Sequence, residues 1–395
     1  MIEKRGNITV NHKIEINKDV LKWAIEESTI PIEQIYQKYP QINDWLAGAK
    51  TPTFIQVKNL SSYLKIPFGM FFLSQPPKQQ TFNVEFRTLN NKISNNYSLE
   101  LKTVIQDMDY RKSWMSEYKQ INGYDKVNIP ITIDFNKRDH DNAARLRTLL
   151  DIDVHWQKKV KTSYDAFKFI RSKLEAFGIL VMMNGIVRDN RHRMLDVSEF
   201  RAFVLNDEFS PLIFINRNDT ENGMLYSLLH EFIHILIDKT DDIFIGIDHS
   251  TEIEQKINSL VAEFLVPNNV LLNLFDRNKN PKDEIKRVSE ILKVSRMVVA
   301  IKGYKLNLIS QEVKDNIVEE TKKYYINNKE KREEKNSGGN YYLTTQSRLS
   351  KNFYKTVIHQ AEAGKLLFTE AYKLLGLKGN TYDKFKTYVV GKLYE

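Results

Sequence analysis

The chain has 395 residues, 42% of them hydrophobic and 28% charged, with a net charge of +9. That length exceeds one small core and implies two or three domains of ordinary globular composition. Cysteine is absent, which excludes disulfides and thiolate metal sites, while the positive excess is too modest for this length to identify a partner by itself.

The first residues, M-I-E-K-R-G-N, lack the apolar stretch of a secretory leader, and no run approaches the length of a membrane span. A cytoplasmic protein without membrane attachment is expected. Over 19–76, apolar positions recur at helical spacing in V-L-K-W-A-I, in I-E-Q-I-Y and in the run 57–64, punctuated by Pro31, Pro40, Pro52 and Pro67. Four or five helices in so short a span predict a helix-turn-helix domain at 1–78. A polar break at 76–80 opens a connector, 79–140, whose stretch 97–118 has helical periodicity.

From 141 the pattern changes to α+β. An amphipathic helix over 163–177 is closed by Gly178, and short apolar strands are predicted at 179–183, 201–205 and 212–215. A helix then carries L-Y-S-L-L-H-E-F-I-H-I-L-I at 225–237, followed by a second over 251–266, stopped by Pro267. Helices continue through Lys302. Residues 311–339 are rich in Lys, Glu and Asn and end in N-S-G-G, a solvated helix running into a linker. The last segment, 340–395, is helical again. No internal repeat is present, and nothing in the pattern sets an oligomeric state.

The run 225–237 places three ionisable groups among residues that belong in a core. In a helix, His230 and His234 lie one turn apart on one face and can offer ring nitrogens to a single point. Glu231 sits one step round, near that point without occupying it. H-E-x-x-H on a helix is the pattern of a zinc site with its general base beside it. The plain alternative is a pair of core histidines with ordinary hydrogen bonds. The fold class expected is therefore mainly α, with a small α+β zincin-like metallopeptidase domain at 141–310, its H-E-x-x-H helix packed on a short sheet, and flanking helical domains.

A catalytic zinc ion keeps three protein ligands. Asp238 follows His234 by one turn, but a carboxylate from the same helix gives poor tetrahedral angles. In the second helix, Glu254, Ile257, Val261 and Leu265 fall on one stripe, so Glu254 shares the inward face. Asn258 lies a turn further on, where it could orient a ligand histidine. Glu252 and Glu263 lie on other faces. Glu254 comes first by this pattern, with Glu252 and His249 as alternatives.

H-E-F-I-H followed by E-x-x-I-N-x-L-V-A-E-F-L-V-P resembles the ImmA/IrrE family of zinc metallopeptidases, whose second helix reads approximately E-x-E-A-N-x-F-A-A-E-L-L-M-P. Glu254, Asn258, Ala262, Glu263, Leu265 and Pro267 match its anchors; Ile257 and Leu260 depart, apolar for apolar. Lys256 stands where the family has a second acidic residue, which argues for Glu254 as the ligand. F-R-A-F-V-L-N-D-E-F-S-P-L-I-F-I-N is similar to the strands before the family's motif helix. L-K-W-A-I-E-E-S and I-N-D-W-L-A-G-A-K-T-P-T resemble the XRE-type helix-turn-helix domain of its long members, and N-S-G-G-N-Y-Y and A-Y-K-L-L-G-L-K resemble their tails.

The resemblance implies Zn²⁺ held by His230, His234 and Glu254, with Glu231 taking a proton from the attacking water and returning it to the leaving amine. The apolar surroundings raise the pKa of such a carboxylate. The strand at 212–215 is expected to be the sheet edge on which an extended substrate adds, and Tyr226 and Arg201 have structural roles. Family relatives cleave, or trigger removal of, a helix-turn-helix repressor, releasing genes of a mobile element or a stress response. The competing reading is a DNA-binding regulator with the peptidase fold as scaffold. Residues 1–76 hold nine Lys/Arg against seven Asp/Glu, and Y-P-Q-I-N-D-W-L-A-G-A-K has only Lys38 and Lys50 at its edges, Asp44 in the middle, and Gln41 and Asn43 to read bases. Weak DNA binding, or docking of a protein partner, is the expectation.

Overall fold

The computed structural model describes residues 13–28, 30–64, 66, 68–77, 85–87, 97–237, 252–333 and 340–391. Contacts divide the chain into two units, Met1–Asn83 with Ser94–Thr103, and Val84–Ile93 with Val104–Glu395. The first unit contains α1 (Lys18–Glu27), α2 (Ile32–Lys38), α3 (Ile42–Leu46), α4 (Phe54–Leu64) and a 3-10 turn at Phe68–Phe72. Asn17 starts α1 by accepting from the N–H of Asp19 at 2.8 Å, which satisfies a donor the helix leaves unpaired. Leu21, Ala24 and Ile25 then face Ile35, Trp45, Leu60 and Phe71 in a small core.

In the second unit a strand, β1 (Glu85–Arg87), precedes α5 (Leu99–Ile121), whose first turns belong to the first unit, and α6 (Asp139–Leu149). A reciprocal cap between Thr162 and Asp165 starts α7 (Ser163–Ala176). Next come β2 (Leu180–Asn184), the hairpin β3 (Ile186–Val187) and β4 (Asn190–Met194), β5 (Ala202–Leu205) and β6 (Leu212–Asn216). The main sheet has the order β1-β5-β6-β2; β2 runs parallel to β6, and the other pairs are antiparallel. Val181, Met183, Val204, Ile213 and Ile215 share one core with α7 and with α8 (Glu221–Ile237). On the other face Phe203 and Phe214 stack at 5.1 Å, and Met182 Sδ meets the backbone N–H of Ser350 at 3.2 Å. Burial on both faces explains why these strands are continuous apolar runs without alternation.

The sheet order corrects one expectation. The strand at 212–215 is not an edge, because β6 is hydrogen-bonded to β5 on one side and β2 on the other, so it has no free backbone row to offer a substrate.

After α9 (Glu252–Leu265) come α10 (Asn268–Leu274), α11 (Pro281–Leu292), α12 (Arg296–Lys305), α13 (Gln311–Glu333), α14 (Tyr341–Arg348), α15 (Lys351–Glu362), α16 (Phe368–Leu375) and α17 (Gly379–Gly391). The helices expected as a separate C-terminal domain fall in the same unit as the sheet. Arg171 of α7 joins them to it, donating to the carbonyls of Val181, Ser347 and Leu349 at 2.8, 2.7 and 2.5 Å. The N-S-G-G linker lies outside the described residues. Among those residues, no helix is long and apolar enough to cross a membrane.

Candidate metal centre

The centre is built on two helices. α8 is buried around its whole circumference from Met224 to Ile237 apart from half-buried Tyr226, as an apolar run enclosed by a core must be. Its start is fixed by Thr220, whose hydroxyl accepts from the N–H of Gly223 at 3.1 Å. A glycine is required there: a Cβ on residue 223 would stand 2.4 Å from the Asp219 carboxylate. Asp219 is itself held by buried Arg201 at 3.1 Å, which gives Arg201 the structural role expected of it.

The C-terminal end of α9 is equally constrained. Arg147 of α6 donates to the carbonyls of Glu263 and Phe264 at 2.9 and 3.1 Å, and Gln157 to that of Leu265 at 2.7 Å. These side chains satisfy the carbonyls that a helix end leaves unpaired. Glu263 is buried at 3% exposure, not on a solvated face. Its carboxylate is ion-paired to Lys302 of α12 and accepts from the N–H of Asn268 at 3.2 Å. The sequence pattern put Glu263 off the inward stripe of α9, but it did not show that α12 covers that second face.

Between these fixed ends the helices meet twice. Tyr226 faces Asn258, and one turn further along α8, but one turn back along α9, His230 faces Glu254; the helices are therefore antiparallel. His230 Nε2 lies 3.2 Å from Glu254 Oε2, His234 Nε2 lies 3.1 Å from Glu254 Oε1, and the two Nε2 atoms are 3.1 Å apart. Burial of the Glu254 carboxyl favours its neutral form, but the hydrogen bonds and charges of both histidines outweigh this and hold it well below the usual carboxylate range.

The spacing fits a metal ion. Donors about 2.0–2.1 Å from an ion at tetrahedral angles sit roughly 3.3 Å apart, close to the three separations found. Two imidazoles and a carboxylate are a donor set for a catalytic divalent ion, and His230, His234 and Glu254 would hold it. Glu231 follows His230 directly and is 1% exposed. Glu252, the alternative ligand, is exposed and paired with Lys256 at 2.8 Å. Asp238 and His249 lie outside the described residues.

Asn258 was expected to orient a ligand histidine. Its Oδ1 and its backbone carbonyl instead accept from the Tyr226 hydroxyl, each at 3.0 Å, so the pair clamps α8 to α9 one turn from the ligands. Beside this clamp opens a cavity of about 930 Å³. Tyr226, Gln255, Asn258 and Ala262 line it on the side of the metal helices, and Arg138, Asp139, Glu263, Lys302 and Lys305 bring charges of both signs to it. The sequence showed no signal for this cavity, because its walls come from α6, α8, α9 and α12.

Residues 174–303 match the Peptidase_M78 family model, the IrrE N-terminal-like domain. The matched stretch holds the sheet strands β2, β5 and β6, the H-E-x-x-H helix and all three candidate ligands, and it supports the ImmA/IrrE family and a metallopeptidase-type function. Residues 349–387 match a domain of unknown function, DUF8813. No curated protein and no solved structure matches the chain.

Proposed function

We propose that the protein is a zinc-dependent endopeptidase that cleaves a helix-turn-helix repressor or a similar regulatory protein, in the cytoplasm. The observation that carries this reading is the convergence of His230, His234 and Glu254 on one point, with Glu231 beside them. Zinc bound there supplies a Lewis acid that polarises the scissile carbonyl. Glu231 accepts a proton from the attacking water and delivers it to the leaving amine. Buried at 1% exposure, it keeps its proton-transfer step away from bulk solvent. Because β6 is internal, the substrate chain is assigned to the cavity beside Tyr226 and Asn258, one helical turn from the ligands.

The N-terminal helices are read as a docking platform for that protein. Both lysines at the edges of Y-P-Q-I-N-D-W-L-A-G-A-K are already engaged: Lys50 pairs with Asp44 at 2.7 Å, and Lys38 sits 4.0 Å over the ring of Tyr63. That leaves little charge for phosphate contacts. Phe54, Ile55, Phe72 and Leu73 are exposed instead, a composition suited to a protein interface.

Glu231→Gln tests the reading. The variant should keep its metal and fold and lose cleavage of the cognate repressor; cleavage at the normal rate would remove Glu231 from the mechanism. If the wild type cuts an unfolded reporter and leaves the repressor whole, the peptidase assignment stands and the substrate assignment fails.

A further inference from the structure

A second charged site lies away from the metal helices. Arg111 on α5, Arg188 in the β3–β4 turn and Arg348 at the end of α14 line one small cavity with Asp107, walled by Met182, Phe214 and Leu375. Their charges are not balanced. Asp107 is spent on Arg188 in a bidentate pair at 2.9 and 3.0 Å. Arg348 has one bond to Asp189 at 3.2 Å, while its Nε is buried and has no partner among the described residues. Arg111 is poorer still. Among the described residues its guanidinium bonds to no oxygen; its one hydrogen bond goes to Met108 Sδ at 3.9 Å.

Burial pulls the Arg111 guanidinium down to about 10; Asp107 opposes the fall, and the charges of Arg188 and Arg348 add to it. An apolar wall strengthens every charge interaction in the cavity and makes an uncompensated guanidinium costly. Three guanidinium groups face two carboxylates, Asp107 fully used by Arg188 and Asp189 reached by Arg348 through one bond, which leaves a position for a small anion that accepts from several forked donors at once. The free volume is about 30 Å³, above the roughly 10–15 Å³ that a single water needs on the same measure. It admits one compact group, not a whole nucleotide.

We propose that Arg111, Arg188 and Arg348 form a binding site for a single tetrahedral oxyanion, either inorganic phosphate or the terminal phosphate of a monoester whose remainder stays outside. Arg111 and Arg348 supply the unspent donors, and Arg188, fixed by Asp107, supplies the third charge. Such an anion joins α5, the β3–β4 turn and α14, three elements far apart in sequence. It thereby holds the C-terminal helices to β2, which pairs with the strand leading into the metal helix.

The test is a titration of the full chain with inorganic phosphate at constant ionic strength, read by calorimetry and by Tm, alongside Arg111→Met. The wild type should bind one phosphate per chain saturably and gain Tm; R111M should bind at least tenfold more weakly. R111M should also be no less stable than the wild type in phosphate-free buffer, because the guanidinium it removes has no oxygen partner. If adenosine monophosphate binds in place of phosphate and loses that binding in R111M, the source is a monoester. No binding of either probe, equal binding by R111M, or a lower Tm of R111M without phosphate would overturn the proposal, the last by making Arg111 structural.

Discussion

Glu254 Oε2 lies 3.2 Å from His230 Nε2, across the gap between two antiparallel helices. The contact joins the H-E-x-x-H motif to a carboxylate twenty-four residues further along the chain. It predicts a sharp contrast within α9. Glu254→Ala should weaken metal binding by more than about 100-fold, beyond the range expected for outer-shell residues, while Glu252→Ala, which frees only an exposed pair with Lys256, should leave it unchanged. Competition with a chromophoric chelator measures both; equal effects would move the third ligand elsewhere.

Tyr226→Phe should cost stability without removing the chemistry. The variant loses a hydroxyl shared between two acceptors on Asn258, worth about 0.5–1.5 kcal/mol. Denaturant unfolding should show that loss, with the cleavage rate reduced less than tenfold. A rate loss of a thousandfold would instead place the hydroxyl on the substrate.

The metal helices were legible because their signals are local. A four-residue spacing puts two histidines on one face, and the stripe Glu254, Ile257, Val261, Leu265 aims one carboxylate inward. The helices of the first unit were legible for the same reason. What the pattern missed depends on neighbours distant in sequence. The β6 run looks the same at an edge or inside a sheet, so only its pairing with β5 and β2 excluded strand addition. The β4 stretch N-R-H-R-M is polar and mostly exposed, so it shows no alternation. Glu263 was taken from solvent by Lys302, thirty-nine residues away, and the hydroxyl that Asn258 accepts from belongs to Tyr226, thirty-two residues away.

The Glu263 and Lys302 pair should therefore behave as a buried one. Both side chains are under a tenth exposed, and Lys302→Ala strands the carboxylate, at a cost of about 3–5 kcal/mol. Replacing both, Glu263→Leu with Lys302→Met, should recover most of that loss. A single-variant cost under about 1 kcal/mol in urea unfolding would show that the carboxylate reaches solvent.

At the C-terminal end, burial raises the Tyr382 phenol well above its ordinary value of 10, and Glu362, which accepts from it at 3.3 Å, adds to the rise. A raised folded pKa means that the stabilisation is fully present below about pH 10. It is lost as pH rises beyond that, because the unfolded chain ionises first. Tm should fall from about pH 9.5 to about 11.5 more steeply in the wild type than in Tyr382→Phe; parallel slopes would contradict the assignment.

His230, His234 and Glu254 are proposed to hold one catalytic metal ion. The most direct test is metal analysis by mass spectrometry of the purified wild type, His230→Ala and His234→Ala, each checked for folding by circular dichroism. About one zinc per chain in the wild type, falling to near zero in both folded variants, is the predicted result. Metal content that is unchanged in both variants, or absent from a wild type purified and dialysed with zinc, would contradict it.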